Sequence, residues 1–531
     1  MKKEIRIISV MLAAAVLGGC QAKETAESPA QTAVSETEGT TGATTVSETE
    51  PESEQESQSE ETEKPSLLNV MISYEYFGEW DEDICLISGK SPKPYVLDEG
   101  YEALQAAMDR YAADRYASVQ NDYDQNYETA KEMYAEHPDF FFGFTSEVEA
   151  AAERADRKTV SLKEEGYYYA GGAHGMYWHS GVSFDTESGN ILTLSDVITD
   201  YDELYEYVKE ELPKVYDKDM FFENYEELLE EYFADPDSVE SNWYLDSEGL
   251  QMVFNPYLLG PYASGIQMVT VPYGEEPGLV KEEYWYFPSG KAIETAAYES
   301  VWLDADGDGN EEEIRLETTD DPEEGTVTVT IRCGEASLDA VLYAYEMTGA
   351  YLLKPSGDRT YLYIEGQSDN DWRFMDVFDL SSGTPVYVDE IYNTPGGSSI
   401  MDPSDFILYT RLDALGTYSG YRKYHVGDNG VPEAESGIYE IVNLPGDVWK
   451  TITSSRAIPV WMAKEEGKEP ERTELPAGTR FAFCRTDGES FVEMKLEDGR
   501  HCEIRFEYED GMRYIEGVDE WECFENLPYA G

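Results

Sequence analysis

The chain has 531 residues, of which 38 are Lys or Arg and 111 are Asp or Glu, giving a formal net charge of -73. A polyanion of this kind excludes nucleic acid as a partner held through phosphate contacts, and it suits cationic partners and divalent cations. The length suggests about three domains of ~100–200 residues each, and the apolar (41%) and aromatic (13%) content supplies material for their cores.

The N-terminus reads as an address. Lys2, Lys3 and Arg6 precede an apolar run from Ile7 to Val16, followed by Leu17-Gly18-Gly19-Cys20. The run is shorter than the ~20 apolar residues of a spanning helix and fits the core of a secretory signal. The last four residues resemble a bacterial lipobox, in which small residues admit the signal peptidase and the Cys20 thiol carries a covalent diacylglycerol. Residues 1–20 are thus expected to be a lipoprotein signal. The chain would then be held through its lipid on the extracellular face of the bacterial cytoplasmic membrane, since buried acyl chains stabilise attachment by ~0.8 kcal/mol per methylene. An ordinary cleaved signal with an incidental Cys20 is the alternative. Residues 21–66 hold Ser, Thr, Glu, Gln and Pro and no aromatic residue, and Val34–Glu38 recurs as Val46–Glu50. Such a segment cannot bury enough apolar surface to offset its ordering entropy, so it is expected to be a disordered acidic stalk.

The first folded region, 67–276, is expected to be α+β. Leu68–Phe77 alternates as a strand. Asp98 is placed to cap a helix from about Glu99 to Ala135, with Leu104, Met108, Tyr111 and Arg115 on one face. Strands are predicted from Lys158 to Leu194, broken at Gly171-Gly172 and Ser188-Gly189-Asn190. Helices over Asp202–Tyr216 and Glu223–Phe233 precede strands over Trp243–Asn255 and Gly265–Pro272. His174 and His179 invite a metal or catalytic reading. They flank a Gly-rich turn rather than share a helical face, and no carboxylate joins them at metal spacing. A bend held by a hydrogen-bonded His174 ring competes with a ligand contact there.

Three ordered motifs carry a resemblance. Tyr168-Tyr169-Ala170-Gly171-Gly172-Ala173-His174-Gly175 comes first. Ser183-Phe184-Asp185, Ser188-Gly189 and Leu192-Thr193-Leu194 with Asp196 follow, and Pro256-Tyr257, Pro261-Tyr262-Ala263 and Gly265-Ile266 close the series. Together they resemble the extracytoplasmic domain family shared by the lysozyme-sensing anti-sigma factor RsiV and the peptidoglycan deacetylase PdaC. The resemblance implies an α+β domain over 67–276 that meets lysozyme-like protein or cell-wall glycan (peptidoglycan), without catalysis of its own. Gly171, Gly172, His174, Gly175, Tyr177 and Trp178 are the expected binding residues, and Tyr167–Tyr169 are further aromatic anchors. In place of the anti-sigma factor's spanning helix this chain has the lipobox, and it lacks a visible deacetylase metal motif.

In the second region, 277–445, Asp304, Asp306 and Asp308 stand at positions 1, 3 and 5 of a loop, with Gly309 following, Asn310 at 7 and Glu312 at 9. Alternate carboxylates converging on one hard cation, with Gly allowing a sharp turn, match a Ca²⁺ loop. Arg315 at position 12 departs from a full EF-hand, and an acidic solvated turn is the alternative. A mostly β domain is predicted, with strands over Thr326–Arg332, Ala340–Glu346, Thr360–Glu365 and Phe374–Asp379, and Asp369-Asn370-Asp371-Trp372 as a turn. In the third region, 446–531, short strands joined by Asp487-Gly488, Asp498-Gly499 and Asp510-Gly511 predict hairpins, and their layout resembles a small SH3-like β-barrel. Cys484, Cys502 and Cys523 are close enough in sequence for one bridge among them. No catalytic motif is recognised. The expected function is a lipid-anchored envelope binding protein, and the alternative is a glycan-modifying enzyme with a carboxylate pair hidden among the acidic residues.

Overall fold

The computed structural model describes residues 67–531 except 83, 322–323, 356–357, 369–371, 397, 445–450, 463–469, 510 and 531. Cys20, the stalk 21–66 and the expected turn at 369–371 lie outside the described residues. Those described are mostly β with few helices, and none of their helices is long and apolar enough to cross a membrane.

The chain opens with β1 (Val70–Asp81), β2 (Ile84–Val96), α1 (Glu102–Glu136), β3 (Phe144–Ala155), β4 (Thr159–Tyr169) and β5 (Met176–Asp185). The strands form one sheet in sequence order. β2 and β3 are parallel, which demands a long crossover, and α1 is that crossover. Its Leu104, Met108 and Tyr111 pack on Ala150, Val160, Leu162 and Phe184, and Arg115 pairs with Glu164 beneath them. The helix starts later than expected. Tyr101 is the N-cap and makes no side-chain bond, because the Asp98 carboxylate instead accepts from the Asn69 amide at 2.6 Å.

Next come α2 (Leu194–Val197), α3 (Tyr201–Val215), α4 (Tyr225–Phe233) and α5 (Pro236–Val239), then β6 (Trp243–Leu245), β7 (Gly249–Phe254) and β8 (Gln267–Pro272). Asp200 caps α3 by accepting from two backbone amides. Leu204, Val208, Leu212 and Leu229 share a core with Leu250, Met252 and Phe254 of the antiparallel β6–β8 sheet. Trp243–Asn255, expected as one strand, is a hairpin, because the Asp246 carboxylate accepts from the Glu248 and Gly249 amides and turns the chain. One charge is fully enclosed here. Arg154 of β3 bonds Asp156 at 2.8 Å, the Tyr273 hydroxyl at 3.0 Å and the Tyr284 carbonyl. It thereby ties the first sheet to the segment after β8, its charge paired with a carboxylate and met by two further oxygen acceptors.

The middle of the chain is a pair of stacked sheets. β9 (Lys291–Thr295) leads to β10 (Ser300–Leu303), β11 (Glu312–Asp321), β12 (Thr326–Cys333) and β13 (Ala336–Leu342), and then to β14 (Glu346–Lys354), β15 (Tyr361–Ser368), β16 (Trp372–Asp379) and β17 (Val386–Ile391). β10–β13 form one sheet, and the other runs β17-β16-β15-β14-β9. Leu316, Val329 and Ile331 of the first meet Leu352, Ile364, Phe374 and Phe378 of the second. Ala340–Glu346, predicted as a strand, spans the turn between β13 and β14 instead.

The largest sheet begins with β18 (Phe406–Asp413), β19 (Thr417–Val426), β20 (Pro432–Ala434) and β21 (Tyr439–Ile441). It continues through β22 (Thr451–Ser454), β23 (Ile458–Met462), β24 (Glu471–Leu475), β25 (Arg480–Thr486), β26 (Phe491–Leu496) and β27 (His501–Arg505). No closed barrel is found among the described residues. The strands expected to make a small SH3-like barrel instead continue through β21 into β19 and β18. All five described cysteines are free thiols. Cys484 and Cys502 stand on β25 and β27 with β26 between them, about 10 Å apart at the usual strand spacing and beyond disulfide reach.

Candidate functional site

Two sequence motifs far apart in the chain meet at the tip of the β4–β5 hairpin. Gly171 and Gly172 take positive φ, at 91° and 107°, which lets the chain fold back tightly. A side chain at Gly175 would collide with the Tyr167 ring. The turn therefore lies flat against its own hairpin and leaves its outer side to the second motif. There Tyr262 donates its hydroxyl to the Gly175 carbonyl at 2.9 Å. The His174 ring stacks on Tyr262, centroid to centroid 4.2 Å, and its Nδ1 lies 2.8 Å from the Gly175 carbonyl. Tyr177 meets Tyr262 edge-on at 5.1 Å, and Tyr257 stands 5.8 Å from it. Tyr257 is held at φ 72°, a strained backbone for a bulky residue, of the kind found at binding sites. Tyr167, Tyr257 and His174 are exposed, and Tyr177 and Tyr262 are half-buried.

Five of the six expected binding residues, Gly171, Gly172, His174, Gly175 and Tyr177, thus belong to one surface. Trp178 does not. Strand alternation turns it to the other face, where it lies over Gly166 beside the face that carries Ser180 and Glu164. Tyr168 and Tyr169 are also committed elsewhere, to Asn126 and to Phe144. Tyr262 is the hub that the sequence reading did not single out, although the motif around it was visible. His179 stands apart from His174, with its Nε2 3.6 Å from Glu165. Burial pushes its pKa down, against the pull of that carboxylate.

The acidic loop joins β10 to β11 as a hairpin in which Leu303 faces Glu312. That register brings Asp304, Asp306 and Glu312 together, with a ligand oxygen from each within 4.8 Å of the others. Asp308 is not in this group: its carboxylate accepts from the Asn310 amide at 2.8 Å and side chain at 2.9 Å. Asp304 accepts from the Gly307 amide and Glu312 from the Ala305 amide, so loop amides hold the carboxylates in place. Asp358 closes in beside Gly307, and Gly383 beside Asp306. Neither was foreseen, because both come from distant turns. A separate open cleft of 410 Å³, lined by Tyr207, Glu248, Thr270 and Lys291 among others, contains none of these residues.

Residues 195–274 match the family described as "Protein of unknown function (DUF3298)", so the chain carries a DUF3298 domain there. The match takes in the Pro261–Gly265 motif and the α3–β8 core, and it begins after the Gly-rich turn. Among solved structures, the chain is similar to a DUF3298 family member from Bacteroides fragilis, at 19% identity over 41% of this chain and 96% of that one, with a TM-score of 0.31. It is also similar to a DUF3298 family protein from Pseudomonas aeruginosa, at 17% identity over 41% of this chain and 96% of that one, with a TM-score of 0.27. No curated protein matches the chain.

Proposed function

We propose that this is a lipid-anchored binding protein of the bacterial cell envelope, attached through diacylglycerol at Cys20, whose aromatic turn contacts a lysozyme-like protein or cell-wall glycan. The observation that carries this reading is the convergence of His174, Tyr177, Tyr257 and Tyr262 on one exposed, strained surface. Aromatic rings of this kind serve as interface anchors, where flat area and a polar tip are both needed. The resemblance to the RsiV and PdaC domains supports the choice of partner. The net charge of -73 would speed the approach of a basic protein without giving specificity. Rings rather than carboxylates gather at the turn, which favours binding over glycan hydrolysis. Calcium belongs to the same proposal as a stabiliser of the β10–β11 loop, with Asp304, Asp306 and Glu312 as ligands.

The test is affinity of the purified chain for lysozyme, for an unrelated protein of similar charge, and for purified peptidoglycan. It is run in about 150 mM salt, where distant exposed charges are screened. Tyr262→Ala should weaken the preferred complex by about tenfold or more, the loss of a single anchor. Equal affinity for lysozyme and its charge-matched control, with no peptidoglycan retained, would reduce the attraction to charge alone.

A further inference from the structure

A second cluster of rings and carboxylates lies outside the DUF3298 match, at the β17 edge of the middle sheet. Asp376 and Glu390 stand directly opposite each other on the antiparallel β16–β17 pair. Cross-strand partners point to the same face with Cβ atoms about 4.5–5.5 Å apart, and like charges so placed repel. On β16 this face carries Trp372, Phe374, Asp376 and Phe378. Phe374 and Phe378 belong to the core, so Asp376 emerges from between two core rings and is only 6% exposed. On β17 the same face carries Tyr387, packed edge-on against Phe378 at 5.7 Å, and then Glu390. Tyr392 follows and meets Trp372 at 5.6 Å, with its hydroxyl against the Glu390 carboxylate.

Two features of this arrangement are unusual. The Asp376 carboxyl is buried and accepts no hydrogen bond from the described residues, and the charge acting on it is that of Glu390, so its pKa is pushed up to about 7. A buried carboxylate in that state is costly unless something pairs with it. The rings that flank the pair along β17 are nevertheless open, with Tyr387 51% and Tyr392 51% exposed, and Trp372, 44% exposed, backs Tyr392. The two strands contain one cation, Arg373. It is one residue out of phase, on the opposite face, where it pairs with Glu365 at 3.2 Å. The pair therefore shares its face with open rings, and among the described residues of these two strands no cation lies on that face.

We propose that Asp376 and Glu390, flanked by Tyr387 and Tyr392, form a binding site for an organic cation, the ammonium or guanidinium head of a Lys or Arg side chain on a basic polypeptide. The carboxylates supply charge-assisted hydrogen bonds, and the ring faces supply cation–π attraction, which grows as the cation is desolvated. A hydrated metal ion uses the carboxylates but gains little from the rings, and a neutral sugar uses the rings but leaves the buried charge unpaired. The site is argued independently of the aromatic turn on the β4–β5 hairpin.

The test is titration of the purified full chain at about pH 8 with butylammonium as the lysine head, followed by calorimetry. N-acetylbutylamine, N-acetylglucosamine and Ca²⁺ are the controls. Butylammonium should bind in the millimolar range and its acetylated form should not. Asp376→Asn should weaken binding about tenfold, on the scale of a lost charge-assisted contact, and Tyr392→Ala several-fold. Tyr262→Ala should leave it unchanged, which separates this site from the turn. Glu390→Gln, at a half-buried edge position, repeats the charge test if the Asp376 variant does not fold. Unchanged butylammonium affinity in the charge variants, or tighter binding of the sugar or of calcium at these residues, would overturn the proposal.

Discussion

At the scale of single residues, the acidic loop between β10 and β11 separates what spacing dictates from what geometry selects. Spacing offers Asp304, Asp306, Asp308, Asn310 and Glu312 equally, whereas the hairpin gathers Asp304, Asp306 and Glu312 and leaves Asp308 to brace Asn310. A ligand that binds only the folded chain stabilises it by RT ln(1 + [L]/Kd). About 1 mM Ca²⁺, an extracellular level at which weak sites fill, should therefore raise the melting temperature of the wild type. Asp306→Ala should abolish that increment and Asp308→Ala should retain most of it, as read by scanning calorimetry with and without calcium. An equal loss in both variants would return Asp308 to the ligand set, and no calcium effect on the wild type would make the loop an acidic turn. Arg154 shows the opposite limit of legibility. A basic residue in an alternating strand reads as solvent-facing, and only the distant Tyr273 and Tyr284 reveal that it is enclosed.

At the scale of elements, local pattern succeeds where packing agrees with it. The helix over α3 and the Leu104, Met108, Tyr111 face of α1 were legible because period and burial coincide. The Asp98 cap was misplaced because a competing amide, that of Asn69, lay just before β1, 29 residues earlier in the chain. The turn at 343–345 was hidden by its tyrosines, which read as strand residues although Tyr343 and Tyr345 are exposed. The aromatic turn was half legible. Its glycines and His174 were plain, but alternation puts Trp178 on the other face, and the hub Tyr262 comes from a motif whose position in space no spacing rule supplies. Gly166 is the corresponding unnoticed residue on β4. It faces Trp178 across the strand pair, and a Cβ there would lie 2.0 Å from the Trp178 ring. Gly166→Val should therefore force the indole off the sheet and cost about 1–3 kcal/mol, the usual range for overpacking. Urea denaturation followed by tryptophan fluorescence reads both effects. A variant as stable as the wild type would show that the ring finds another seat at no cost.

At the scale of the whole molecule, the acidic excess makes stability a function of pH in an unusual direction. Asp246, Glu294 and Asp376 each have a pKa raised to about 7, burial being the largest cause in all three. Glu294 also faces Glu153, and the Ser399 hydroxyl lies 2.7 Å from Glu294 and 3.0 Å from Glu153. A hydroxyl has one proton to donate, so both contacts are hydrogen bonds only when one of the two carboxyls is itself protonated. The raised Glu294 is the group that fits. For an acid whose folded pKa exceeds its unfolded value, the native state holds the extra proton. Stability is then full below the unfolded pKa, near 4, and is lost as pH rises through 7. Acids whose pKa is lowered, such as Asp185 and Asp487 with their hydrogen-bonded carboxylates, act oppositely and lose their contribution only as the solution becomes more acid than about pH 4. The chain should therefore be most stable near pH 5 and weaken by a few kcal/mol towards pH 8. Glu294 adds less than its pKa suggests, because its side chain is partly open to solvent and screened. Asp376 is the enclosed case, and Asp376→Asn should remove on the order of 2 kcal/mol of the fall between pH 5 and pH 8. Urea midpoints of wild type and variant at about pH 5, 6, 7 and 8 decide the matter, with calcium held fixed so that loop binding does not add its own pH dependence. Stability that rises from pH 5 to pH 8, or a slope unchanged in Asp376→Asn, would mean that these carboxyls ionise in the folded chain without cost.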